Sequence, residues 1–149
     1  SYSTDGKRIV SGGADYALRI WTNTGSEIKS LDTILQTIQC VTFSPNGNKI
    51  ISGSDDKTIK IWDTSTGREI QTLTGHLNQI NSVALSRDGK RILSGSDDKT
   101  IKIWGSTTFQ PIQTLRAHTK PILSVTFSPD GKTIASGSDD GTIKIWQAK

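Results

Sequence analysis

Trp21, Trp62, Trp104 and Trp146 are the four tryptophans of this chain, and they stand 41, 42 and 42 residues apart. The stretch leading into each is repeated as well. Ser-Gly-Ser-Asp-Asp-Lys-Thr-Ile-Lys-Ile-Trp runs from Ser52 to Trp62 and recurs letter for letter from Ser94 to Trp104. From Ser136 to Trp146 it differs only in Gly141, where the others have Lys57 and Lys99. From Ser11 to Trp21 it keeps the serine, the first glycine, an aspartate (Asp15) and the closing Ile20-Trp21. A period in the forties means one supersecondary unit stacked in an array, each copy burying the face its neighbour leaves open.

The third copy shows what the unit is. Ile80 to Leu85 reads as a strand, Ser86-Arg87-Asp88-Gly89 as a turn and Lys90 to Ser94 as a second strand. Gly95 to Lys99 reads as a tight turn, Thr100 to Trp104 as a third strand and Gln110 to Leu115 as a fourth. In Ser44-Pro45-Asn46-Gly47 and Ser128-Pro129-Asp130-Gly131 the proline presets φ and the glycine supplies φ > 0. β-Branched residues fill the runs between turns, as in Thr142-Ile143-Lys144-Ile145, and no stretch has a 3.6-residue apolar period. The expected fold is all-β. Pro111 cannot donate to a ladder, so the fourth strand of the unit belongs at a sheet edge.

Composition narrows the function classes. No apolar run approaches the ~18 residues of a membrane span, and no charged-then-apolar leader opens the chain. The single cysteine, Cys40, has no internal disulfide partner and stands where Ser82 and Ser124 stand in sister repeats. It reads as a small buried residue rather than a reactive thiol, and fits a reducing, cytoplasmic compartment. Two histidines and one cysteine make no metal site at zinc spacing, and the glycines sit at turns rather than in a phosphate loop, so neither metal nor cofactor is expected. The net charge of +4 invites a nucleic-acid reading. The lysines follow the repeat, however (Lys60, Lys102 and Lys144; Lys49, Lys90 and Lys132), without a dense basic run or interleaved aromatics, and nucleic-acid binding stays the lesser alternative.

On these residues the whole chain resembles the WD40 family of β-propellers. The resemblance implies four-stranded antiparallel blades, the first strand of each lining a central channel. Repeats then run from about 1–31, 32–73, 74–115 and 116–149, the first without its inner strand and the last without its outer one. There are departures. The Trp-Asp pair occurs once, at Trp62-Asp63, and Gly-His once, at Gly75-His76, beside Ala117-His118; Ile34 stands at the matching place in repeat two.

His76, Ser94 and Asp98 look like a hydrolase triad, but His118, Ser136 and Asp140 repeat the set at the same offsets. Catalysis needs one well-built site, not one per unit. The resemblance implies a structural role instead, a hydrogen-bonded set of His76, Ser94, Asp98 and Trp104, and another of His118, Ser136, Asp140 and Trp146. Ser52, Asp56 and Trp62, with Ser11, Asp15 and Trp21, are the same set without a histidine. No enzymatic activity is expected.

The resemblance also places partner contacts on the face holding the entry to each inner strand and the turn before each third strand. Carried over, these are Thr37, Gln39 and Asp55, then Gln79, Asn81 and Asp97, then Pro121, Leu123 and Asp139, with only Ala14 in repeat one. That rim is mildly acidic and suits a basic peptide, while Lys7, Arg8, Lys90, Arg91 and Lys132 lie near the opposite turns. Aromatic or arginine anchors are absent from it, so no dedicated high-affinity site is legible. The expected function is a non-catalytic protein or peptide interaction scaffold. Four units fall short of the about seven blades at which the resemblance implies closure, within a general propeller range of ~4–8. Two expectations follow: further blades from a longer propeller or multidomain signalling chain, or copies that assemble edge to edge into a ring.

Overall fold

A computed structural model of the chain describes residues 1–32, 36–116 and 118–148; Ile34, Ala117 and Lys149 lie outside the described residues. Among the described residues fourteen strands form and no helix does. Blade 1 holds β1 (Arg8–Gly12), β2 (Ala17–Thr22) and β3 (Glu27–Asp32). Blade 2 holds β4 (Ile38–Phe43), β5 (Lys49–Ser54), β6 (Ile59–Asp63) and β7 (Glu69–Leu73). Blade 3 holds β8 (Ile80–Leu85), β9 (Arg91–Ser96), β10 (Thr100–Gly105) and β11 (Pro111–Arg116). Blade 4 holds β12 (Ile122–Phe127), β13 (Thr133–Ser138) and β14 (Ile143–Gln147).

Each blade is an antiparallel meander whose strand order follows the chain, so Pro111 opens an edge strand where its missing N–H is harmless. Inward of β1 only an isolated bridge forms, between Tyr2 and Ile9. Turns follow the sequence: Gly6, Gly47, Gly89 and Gly131 all take φ between 67° and 70°. The second strand of blade 3 runs past Ser94 to Ser96, because Ile80 pairs with Ser96 and the Asp97 N–H reaches the Gln79 carbonyl at 3.0 Å. That leaves the next turn tighter than the sequence suggests. Lys57 and Lys99 sit at its left-handed position with φ of 73° and 67°, where Gly141 has 78°.

The blades stack face to face, which explains why β5 and β9 are buried along nearly their whole length. The contact between blades has a fixed form. The first residue of each inner strand, Ile38, Ile80 or Ile122, lies across a glycine of the preceding blade, Gly12, Gly53 or Gly95. A β-carbon on those glycines would stand 2.5, 2.6 and 2.6 Å from the isoleucine Cγ2. Each such isoleucine is at most 5 % exposed, and burying one stabilises by roughly 1.5–3 kcal/mol. Nothing lies within 4 Å of the equivalent point on Gly137 in blade 4, and the four sheets do not close a ring.

Candidate functional site

The side chains that most resemble a reactive centre are brought together by four segments of blade 3. β9 carries Ser94, β10 carries Trp104, the turn between them carries Asp98, and His76 stands ahead of β8. The Trp104 indole N–H donates to Ser94 Oγ at 2.9 Å, and Ser94 Oγ lies 2.8 Å from His76 Nε2. His76 Nδ1 lies 2.7 Å from Asp98 Oδ2, which also accepts the Leu77 N–H at 2.9 Å. The other carboxylate oxygen takes the Thr100 hydroxyl at 2.6 Å and the Thr100 N–H at 2.9 Å. Donor accounting fixes the tautomer. A carboxylate only accepts, so Nδ1 carries the proton, and Nε2 is left to accept from Ser94.

Burial opposes ionisation of Asp98, but the hydrogen bonds from His76, Thr100 and Leu77 outweigh it and hold the carboxyl well below the usual carboxylate range. Blade 4 repeats the set: Trp146 to Ser136 at 2.8 Å, Ser136 to His118 at 2.8 Å, His118 to Asp140 at 2.8 Å. The Thr142 hydroxyl, against burial and with help from His118, depresses the Asp140 carboxyl in the same way.

The other two blades bring together less. Trp62 donates to Ser52 at 2.9 Å and Trp21 to Ser11 at 2.8 Å. Among the described residues Asp56 accepts from Thr58, through its N–H at 2.9 Å and its hydroxyl at 2.7 Å. Asp15 pairs with Arg19 on the surface, and no histidine joins it. Ile34, aligned with the histidines in repeat two, lies outside the described residues.

Ser94 is fully enclosed and His76 is 6 % exposed. The Ser94 hydroxyl is thus shielded from solvent between the Trp104 indole and the His76 ring. A hydrogen bond to a charged group contributes about 1.5–3 kcal/mol, and the same groups left unpaired in the interior would cost as much. Among the described residues no group of three or more potential metal ligands forms. Cys40 is packed at the seam between blades 2 and 3, and burial pushes its thiol up to about 12. It is inert.

The second candidate surface is the rim. The Asp55, Asp97 and Asp139 N–H groups donate to the carbonyls of Thr37, Gln79 and Pro121, so one main-chain bond in each of blades 2, 3 and 4 draws the two segments together. Gln39, Asp55, Leu123 and Asp139 are exposed. Asn81 is less free: its amide bridges Asp97 at 2.6 Å and the Ile122 carbonyl of blade 4 at 2.9 Å, and Gln79 donates to it at 3.2 Å. Asp139 stands 3.8 Å from Lys120.

The sequence pattern of the WD40 family (WD domain, G-beta repeat) matches residues 1–22, 25–63, 67–105 and 109–147. The chain belongs to the WD40 family. No curated protein matches it. WD40 repeats make a domain of the protein-interaction scaffold kind, and WD40 proteins are in general non-catalytic. Among the described residues no helix is long and apolar enough to cross a membrane.

In these WD40 blades the sequence reading missed two residues. Arg8 and Arg91 look like ordinary surface charges, yet each reaches into the next blade. Their guanidinium groups donate to the turn carbonyls of Gly47 at 3.0 Å and Gly131 at 2.8 Å, and lie 5.3 and 5.2 Å from the ring centres of Phe43 and Phe127. The usable signal was the period itself: an arginine and a phenylalanine recur at fixed offsets from the Gly turn.

Proposed function

We propose that this chain is a non-catalytic platform for protein contacts whose blade 4 face receives a further WD40 blade. The observation that carries this is the bareness of that face. Ile143 and Ile145 are 78 % and 66 % exposed, whereas their counterparts Ile59, Ile61, Ile101 and Ile103 are at most 1 % exposed. Apolar patches of this kind mark contact surfaces. The occupant must set a branched apolar side chain over Gly137, as Ile122 sits over Gly95. A second copy of this chain would bring blade 1, whose inward edge has only the Tyr2–Ile9 bridge and no isoleucine in that register. A blade with its own inner strand, from a longer propeller, therefore fits better than self-closure.

Light scattering on the chain tests this. Open-ended association that Ile143→Lys and Ile145→Lys relieve is the expected result. A monodisperse dimer would favour ring closure by two copies instead.

The rim around Thr37, Gln39, Asp55, Gln79, Asn81, Asp97, Pro121, Leu123 and Asp139 is the proposed partner face, with a basic protein segment as its ligand. Three aspartates in a row favour positive charge, and steering of that kind weakens with salt. Replacing Asp55 and Asp139 by lysine should abolish binding of a short lysine-rich peptide. Unchanged binding would remove the rim from the account.

A further inference from the structure

Three seams join the four blades, and one pair of residues sets how each is held near the turns. At the seams of blades 1 and 2 and of blades 3 and 4, an arginine crosses to the next blade. It lies 5.3 or 5.2 Å from the centre of a phenylalanine ring and donates to the carbonyl of the turn glycine beyond. At the seam of blades 2 and 3 both members change. Lys49 stands where Arg8 and Arg91 stand, and Leu85 where Phe43 and Phe127 stand. The Lys49 ammonium goes elsewhere, to a point 5.5 Å from the ring centre of Phe109. Guanidinium and ring are present together or absent together.

Blade 1 carries the receiving half of this pair on the face turned away from blade 2. Tyr2 occupies the place of Phe43 and Phe127: it bridges to Ile9 as they pair with Ile50 and Ile134. Ser3 closes the following turn on Arg8, with bonds of 2.9 and 3.0 Å, as Ser44 does on Lys49, with two of 2.9 Å. Ser1 bonds Val10 through both main-chain groups, at 2.8 and 2.9 Å, so Tyr2 is held from either side. Its ring is nevertheless 65 % exposed, against 6 % for Phe43 and 9 % for Phe127. Among the described residues nothing donates to the Gly6 carbonyl, the counterpart of the two carbonyls that take a guanidinium. Ile9 and Trp21 are half-buried, whereas their counterparts Ile50, Ile92, Trp62 and Trp104 are closed in by the preceding blade.

We propose that this face of blade 1 docks a WD40 blade of another sequence, one whose second strand begins with arginine. The proposal rests on the reading of the chain as part of a longer array of blades. The incoming guanidinium lies on the Tyr2 ring, whose electron-rich face attracts a cation as that of phenylalanine does, and donates to the Gly6 carbonyl. A second copy of the chain does not supply that group. Its blade 4 begins β13 with Thr133, in the register of Arg8 and Arg91, and a threonine is too short and uncharged to reach ring and carbonyl. The two open faces of the chain therefore do not complement each other at this point.

Thr133→Arg builds the missing half on the chain itself, at a half-buried strand start where positions 8 and 91 already accommodate arginine. Association between copies, measured by sedimentation against the parent chain, should strengthen roughly tenfold, the worth of one cation–π contact with a hydrogen bond. Tyr2→Leu, which copies the seam of blades 2 and 3, should return Thr133→Arg to parental association, whereas Tyr2→Phe should keep the gain. Nitration of the Tyr2 ring, with Tyr16 (44 % exposed) as internal reference, should fall as Thr133→Arg associates. Association no stronger than the parent's, a gain that survives Tyr2→Leu, a gain lost with Tyr2→Phe, or a Tyr2 ring as reactive as before overturns the proposal. If Ile143→Lys and Ile145→Lys relieve an association that Thr133→Arg does not raise, the arginine pairing fails and the blade 4 reading stands. The reverse result removes the blade 4 reading alone.

Discussion

Ile122 lies across the bare backbone of Gly95, its Cγ2 2.6 Å from the point where a β-carbon would stand. The same relationship holds at two other seams and lapses at Gly137, so one substitution has opposite consequences at matching places. Gly95→Ala should destabilise by about 1–3 kcal/mol, because a branched side chain locked between blades cannot retreat. Gly137→Ala meets nothing and should be neutral, or stabilising by up to about 1 kcal/mol through the unfolded chain. Denaturant melts of the two variants give the comparison. Equal losses would mean that the blade 4 face is covered.

Asp98 and Asp56 occupy the same place in adjacent blades with different partners. Asp98→Ala strands the buried His76 Nδ1–H and removes the acceptor of the Leu77 N–H, and should cost about 3 kcal/mol. Asp56→Ala loses the bonds from Thr58 and has no histidine to strand, and should cost about 1 kcal/mol. Chemical denaturation separates the two, and equal losses would deny the network its stabilising role.

Acid sensitivity follows from the same carboxyls. Asp98 and Asp140 ionise below the ordinary range when folded, so the unfolded chain binds more protons in acid than the native one. Their contribution is complete above the ordinary aspartate pKa of ~3.9 and is lost as pH falls through that value toward the folded ones. A stability profile from pH 7 to pH 2 should fall steeply at its acid end, and Asp98→Asn should flatten part of that fall. An Asp98→Asn profile parallel to the parent would contradict this origin.

Lys99 is held at φ of 67° in a position that Gly141 fills in blade 4. A side chain in the left-handed region costs about 1–2 kcal/mol, and glycine gives back part of that through its looser unfolded state. Lys99→Gly should therefore stabilise by about 0.5–1 kcal/mol, read as a higher denaturant midpoint. A lower midpoint would show that the lysine side chain contributes something its exposed position does not reveal.

The periodic parts of this molecule were legible in the sequence because each is enforced several times over. Four tryptophans at a near-constant spacing, a turn glycine in every copy and β-branched runs between them admit one repeating sheet. The position of Pro111 at an edge followed from its missing N–H alone. What escaped the reading depends on side-chain paths rather than on residue types. Arg8 and Arg91 are indistinguishable in sequence from lysines that merely solubilise a turn, and only their reach across a seam gives them a role. Asp15 shares the alignment of Asp56 and Asp98, yet without a histidine beside it the nearer Arg19 captures it. The replacement of the arginine and phenylalanine by Lys49 and Leu85 at the seam of blades 2 and 3 is a difference between copies, invisible while the copies are read as one unit.

Hydrogen exchange at the Trp104 indole N–H tests the central claim, that the histidine, serine and aspartate sets are buried ties between strands. That proton donates to a serine with no exposed surface, so it should exchange only through global unfolding, and Ser94→Ala should both speed its exchange and lower the melting midpoint. Exchange at the rate of a solvent-exposed indole, or a Ser94→Ala variant as protected and as stable as the parent, would contradict the account.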